Sequence, residues 1–91
     1  MAQSIRETII AEFEHVAAEQ HYKLAPLSDE RPLMEAGLDS LAFAIVVARL
    51  EDTLGLDPFS VLEDLQFPVT FGDFIQLYEK AHEKTFANAT E

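Results

Sequence analysis

Ser40 is the side chain of this sequence with the clearest chemical potential. Gly37-Leu38-Asp39-Ser40-Leu41 reads as a short loop ending in Asp-Ser, and it runs directly into an apolar helical pattern, so a hydroxyl stands at the start of a helix. A hydroxyl so placed can serve as a nucleophile, an attachment point or part of a helix cap. As a nucleophile it is poorly equipped. Leu38 and Ala42 stand where a G-x-S-x-G elbow needs glycines. No spacing ties His15, His21 or His82 to it as a base. With no H-x-x-x-H pair, the three histidines read as surface residues. Carboxylates are abundant, yet no D-x-[DN]-x-[DN]-G calcium loop occurs. The chain has no cysteine, which removes thiolate nucleophiles, disulfides and Cys-based zinc sites. No catalytic residue and no metal ligand is therefore assigned. On the local residues alone an attachment serine and an ordinary Asp-Ser cap both remain open, the cap being the commoner arrangement.

The whole chain bounds the choice further. Its 91 residues form a single domain, 1–91, with room for one small core but not for a core plus a deep catalytic cleft. Apolar residues make up 48%, enough to fold. Seventeen acidic residues against six basic ones give a formal charge of −11. Such a surface repels nucleic acid, whose phosphates need Lys and Arg, and favours protein partners with basic patches. Plain solubility is the simpler use of that charge. The N-terminus has no apolar run after a basic region, so no signal peptide is predicted, and no run approaches the ~20 residues that span a membrane. A cytoplasmic protein without membrane insertion is expected.

Four segments must position the serine. The first helix is predicted from about Ile5 to Glu19. Ser4 and Glu7 have capping-box spacing, and Ile5, Ile9, Phe13 and Val16 form a stripe with Ile10 and Ala17 beside it. A link of roughly nineteen residues, 21–39, follows, and links above ~12–15 residues are usually functional or anchored. Pro26 and Pro32 keep it out of helix. Tyr22, Leu24, Leu27, Leu33, Met34 and Leu38 are expected to pin it to the core, with a helical turn near 32–35 and a bend at Gly37. Helix two is predicted from Ser40 to about Thr53, with Asp39 as N-cap and Gly55 ending it. Phe43, Val46, Val47, Leu50 and Leu54 are expected inward, and Leu41, Ala42, Ile45, Ala48, Arg49 and Asp52 nearer the outside. A short helical segment at 60–65 is expected next. The last helix should run from about Phe71 to Lys84, capped by Thr70 and Asp73, stapled by Val69 on Phe74, and followed by a frayed tail at 85–91. The expected fold is all-α: a small bundle of three main helices plus one short helix, with a long loop between the first and second helices.

Gly37-Leu38-Asp39-Ser40-Leu41 opens helix two, Leu50-Glu51-Asp52 lies ten residues beyond the serine, a short segment follows, and Thr70-Phe71-Gly72-Asp73-Phe74 starts the last helix. This arrangement resembles the acyl carrier proteins over nearly the whole chain. The five-residue motif is weak alone, and its setting between the long link and a capped last helix makes it specific. By that resemblance Ser40 receives 4′-phosphopantetheine, whose thiol holds acyl groups as thioesters. Asp39 and Leu41 match flanking residues read by the phosphopantetheinyl transferase, and Thr70-Phe71-Gly72-Asp73 matches a structural helix start. A phosphodiester on Ser40 would meet the free N–H groups and dipole of a helix N-terminus, whereas Asp39 opposes it by charge. The resemblance implies a carrier that delivers cargo to acyl-activating or acyl-transfer enzymes; a freestanding monomer acting in trans is expected, and the departures on helix two point to a specialised lipid or secondary-metabolite pathway.

The sequence departs from the family on helix two, which is typically acidic on its outer face. Here that face carries Ala42, Ile45 and Arg49, and only Glu51 and Asp52 bring acid to its far end. Leu41, Ile45 and Ala48 form an expected apolar docking strip, with Glu51 and Asp52 beside it, suited to dedicated partners. Ile45 packing against the long link is the competing expectation. Two other functions stay open at this point: an unmodified acidic helical adaptor, and a carrier of aminoacyl cargo. The Asp before the serine resembles acyl carriers more than peptidyl carriers.

Overall fold

The computed structural model of the chain describes residues 4–58 and 68–89. Among these, three α-helices carry the fold: α1 (Ile5–Gln20), α2 (Ser40–Leu54) and α3 (Phe71–Ala89). No strand occurs among the described residues, only an isolated bridge between Pro32 and Thr70. The short segment expected at 60–65 lies outside the described residues.

Each helix start is set by its capping residues. Ser4 closes a reciprocal capping box with Glu7 at the head of α1. Asp39 caps α2. Thr70 and Asp73 exchange bonds at the head of α3: the Asp73 N–H donates to Thr70 Oγ1 at 3.1 Å, and the Thr70 N–H donates to Asp73 Oδ2 at 3.2 Å. The ends use left-handed backbone, at His21 (φ 62°) after α1 and at Gly55 (φ 66°) after α2. α3 continues to Ala89, five residues past the predicted end, because no Gly or Pro stands between Lys84 and Ala89 to stop it.

The core is aromatic at its centre. Phe13 of α1 meets Phe71 and Phe74 of α3 edge-on, at ring separations of 5.2 and 5.9 Å, and Phe43 of α2 lies 5.3 Å from Phe74. Such edge and tilted contacts add to the burial energy of the rings. Ile9, Val16, Ala36, Val46, Leu50, Ile75 and Tyr78 complete it.

On α2 the buried line is Ala42, Val46 and Leu50, with Phe43, Ile45, Val47 and Leu54 half-buried at its flanks. Ala42, expected outside, is therefore a central core residue, 1% exposed. Its small side chain lets α2 approach its neighbours closely. Val69, expected to staple onto Phe74, is 68% exposed. Its carbonyl instead accepts the Leu33 N–H at 2.9 Å, which holds that backbone against the link.

The long link is sewn to α3 by backbone hydrogen bonds. The Phe71 N–H donates to the Arg31 carbonyl (2.8 Å) and the Gly72 N–H to the Asp29 carbonyl (2.9 Å). Gly72 permits this approach, since a Cβ there would lie 2.9 Å from Asp29 Cβ. Arg6 of α1 grips the Asp29 carboxylate with both nitrogens, at 2.6 and 3.2 Å. Leu24, Leu27, Leu33 and Leu38 pack on the core as expected. Met34 does not: it is 94% exposed, projecting from the 3-10 turn Leu33–Glu35.

Candidate functional site

The link folds back on itself to deliver Ser40. Its first residues lie against the Gly37 bend, with the Ala25 N–H donating to the Ala36 carbonyl at 2.9 Å. Gly37 takes φ +108°, a conformation L side chains rarely adopt, and a Cβ there would sit 2.5 Å from the Lys23 carbonyl oxygen. This bend turns the chain so that Asp39 and Ser40 begin α2.

Asp39 has extended backbone and an exposed side chain. Its Oδ1 accepts the Ala42 N–H at 2.8 Å, and its carbonyl accepts the Phe43 N–H at 2.9 Å. Its Oδ2 accepts the Tyr22 hydroxyl. The Tyr22 bond, then the Ala42 N–H, holds the Asp39 carboxyl below the usual carboxylate range. The same bond raises Tyr22 above the ordinary phenol value.

Ser40 is the first residue of α2 and is exposed. Among the described residues no hydrogen bond engages its hydroxyl. Beside it opens a pocket of about 370 Å³ walled by Phe13, Leu33, Met34, Leu38 and Phe43, with Asp39 and Ser40 as its polar lining. Leu41 turns away from the core and is 68% exposed.

Farther along α2, Ala48, Glu51 and Asp52 are exposed, whereas Ile45 is half-buried on the core. Arg49 reaches back to α1, where both of its terminal nitrogens bond the Glu19 carboxylate, one at 3.0 Å. The fold therefore brings together Asp39, Ser40 and Leu41, and spreads Ala48, Glu51 and Asp52 away from them. Tyr22, Phe13 and Phe43 join the site without having been assigned to it from sequence. Phe13 and Phe43 read there as core residues, and an aromatic with a hydroxyl just after a helix end was the only signal for Tyr22. No group of three potential metal ligands clusters among the described residues. No helix among them is long and apolar enough to cross a membrane.

A family model described as phosphopantetheine attachment site matches residues 7–77. The chain belongs to that family. No curated protein and no solved structure matches the chain significantly. Members of the family carry 4′-phosphopantetheine as a covalent group, so the chain is a carrier domain in the sense of the acyl carrier proteins, and such a domain is not itself catalytic. Carrier domains work in general with phosphopantetheinyl transferases and with acyl-handling enzymes. The residues here suit the group: an exposed hydroxyl without an internal bond stands at a helix N-terminus, beside an open apolar pocket.

Proposed function

We propose that Ser40 is the attachment residue and that the domain carries acyl groups as thioesters between enzymes. The observation that carries this reading is Ser40 itself, exposed on the first turn of α2 and lining, with Asp39, the pocket that Phe13, Leu33, Leu38 and Phe43 wall. In the attachment reaction the hydroxyl loses its proton and bonds to the pantetheine-side phosphorus of coenzyme A, while adenosine 3′,5′-bisphosphate leaves. The bound group supplies a terminal thiol that holds cargo as a thioester.

The chain's own residues do the rest. Asp39 fixes the backbone on which the hydroxyl stands and, with exposed Leu41, offers the transferase a charged and an apolar contact on either side of it. The N-terminal amides of α2 face the site of the phosphodiester, and the helix dipole favours its charge. The pocket can shelter an apolar chain, a role its residues share with core packing. Exposed Ala48, Glu51 and Asp52 extend the partner surface along α2, with Ile45 contributing only its uncovered edge. Acyl-activating and acyl-transfer enzymes are the partners this surface fits. Basic rims on them would complement the −11 charge.

The test is an intact mass after incubating the apo protein with coenzyme A and a broad-specificity phosphopantetheinyl transferase, beside Ser40→Ala. One phosphopantetheine increment on the parent and none on the variant supports the reading. An increment that persists in Ser40→Ala moves the site elsewhere. No increment on the folded parent, tried also with transferases of its own source, favours the unmodified adaptor.

A further inference from the structure

Tyr22 follows α1 by two residues and reaches the N-cap of α2. Its position is built by backbone contacts. The Tyr22 N–H donates to the Ala17 carbonyl at 2.8 Å, just after His21 has taken left-handed backbone. The next residues lie along the Gly37 bend, through the Ala25–Ala36 bond and the packing of the Lys23 carbonyl against Gly37. Residues 22–25 are thereby laid beside 36–39, and the Tyr22 hydroxyl meets Asp39.

The two carboxylate oxygens of Asp39 then do different things. Oδ1 caps the Ala42 N–H, and Oδ2 takes the phenol proton as a hydrogen bond. An exposed carboxylate with only one bonded oxygen can swing about its side-chain torsions, and with both engaged it has one orientation. The donor is also neutral. A lysine or arginine in the same place would cancel the charge that Asp39 shows to a partner, whereas a phenol keeps the carboxylate ionised and leaves it negative. Among the described residues no hydrogen bond holds the Ser40 side chain, so its geometry depends on this neighbour.

We propose that Tyr22 is a positioning residue for the modification of Ser40, acting through Asp39 by fixing the orientation and the charge of the carboxylate that flanks the serine. The proposal rests on Ser40 being the attachment residue. Tyr22 is 37% exposed, so Tyr22→Phe keeps the ring and the fold while removing only the donor.

The experiment compares the parent and Tyr22→Phe for initial rates of phosphopantetheine transfer from coenzyme A. It also follows the Asp39 side-chain carboxyl by carbon-detected NMR over an acid titration of each apo protein, with far-UV circular dichroism to confirm that both are folded. Loss of one such hydrogen bond at an exposed site corresponds to a fall of about three- to tenfold in kcat/KM. The expected result is that fall, together with an Asp39 carboxyl that titrates at higher pH in the variant. Equal kcat/KM in the two proteins overturns the proposal and leaves Ser40 as the attachment residue. A slower variant whose Asp39 titration is unchanged also overturns it, because Tyr22 would then act by some route other than Asp39. A folded parent that takes no group at all overturns the attachment reading, and this inference with it.

Discussion

Two glycines with positive φ test how the Ser40 loop is made. Gly37 (φ +108°) and Gly55 (φ +66°) differ in what a side chain would meet. At Gly55 a Cβ has nothing within 4 Å among the described residues. Alanine there bears a left-handed penalty of about 1–2 kcal/mol, less about 0.4–1 kcal/mol gained by restricting the unfolded chain. The net cost is about 0.5–1 kcal/mol. At Gly37 the φ lies outside the left-handed helical well, in a region that costs about 1–3 kcal/mol. A Cβ there would also stand 2.5 Å from the Lys23 carbonyl oxygen and 3.2 Å from Leu24 Cα, both backbone atoms that no side-chain rotation can relieve. Opening that gap strains the Ala25–Ala36 hydrogen bond, worth about 1 kcal/mol. With the same gain from restricting the unfolded chain subtracted, Gly37→Ala should therefore cost about 1–3.5 kcal/mol, a large share of the roughly 5–14 kcal/mol available to a domain of this size. Urea unfolding followed by circular dichroism measures both variants. With m near 1–1.5 kcal/mol per M, the Gly37→Ala midpoint should fall by about 2 M and that of Gly55→Ala by less than about 1 M. If Gly55→Ala proves as harmful as Gly37→Ala, the close approach of residues 23–24 to the bend is not what shapes the loop, and the account of how Ser40 is presented fails.

Two further outcomes follow from other parts of the fold. Tyr78 is fully buried with no hydrogen-bond partner for its hydroxyl among the described residues, and burial keeps its pKa far above the ordinary phenol value. Removing an unsatisfied buried hydroxyl while keeping the ring should be neutral or stabilising by about 1 kcal/mol, so Tyr78→Phe should raise the urea midpoint, and a clear fall would show that the hydroxyl has a partner. Asp29, Glu19 and Asp39 all have carboxyl pKa values lowered in the folded state, through bonds from Arg6, Arg49 and Tyr22 respectively. Groups depressed on folding contribute stability that is present above their unfolded pKa, about 4, and is lost as pH falls through the lower folded value. Melting temperatures recorded from pH 7 to pH 2.5 should therefore fall on the acid side of about pH 4, less steeply in Asp29→Asn and Glu19→Gln than in the parent. Identical acid limbs would mean that these exposed pairs contribute nothing.

The parts of the fold legible in the sequence are those encoded within a few residues. Ser4 with Glu7, Asp39 before Ser40, Gly55 after Leu54, and Thr70 with Asp73 each announce a helix end by local hydrogen bonding, and each stands where expected. What the sequence left ambiguous depends on neighbours distant in the chain. Residues 41–48 are all apolar, so periodicity finds a helix but cannot say which side faces in. Burial settles it in favour of Ala42, while Ala44 and Ala48 are left exposed. Val69 would satisfy the spacing of a staple, but its backbone is held by Leu33, 36 residues earlier in the chain, and its side chain points to solvent. Gly72 was a missed signal. A glycine in the first turn of a helix is a poor helix former, and its use here is to admit the Asp29 backbone. At the site itself, the serine and its cap were readable, while the Tyr22 contact and the pocket walls join segments that no local pattern connects.

The arginines explain how so acidic a chain holds its site in place. All three are engaged within the fold: Arg6 on Asp29, Arg31 through its Nε on the Pro26 carbonyl at 3.1 Å, and Arg49 on Glu19. Two of these contacts, on Asp29 and Pro26, involve the link, and the third ties the last turn of α1 to α2. A guanidinium suits this task, because its planar fork fixes direction as well as distance. Each contact is exposed and individually weak, yet they act on one geometry. Asp29 is held from α1 by Arg6 and from α3 by the Gly72 N–H, which sets the outer half of the link. Glu19 and Arg49 add an exposed ion pair between the end of α1 and α2, on the α1 side from which Tyr22, three residues beyond Glu19, reaches Asp39. Arg49 is therefore not a basic spot on the partner face of α2, as its position in the sequence suggests. Its charge is matched by Glu19, and the exposed end of that face is left to Glu51 and Asp52. Pairing with Glu19 thus joins α1 to α2 and offsets the basic charge that would otherwise stand beside Glu51 and Asp52.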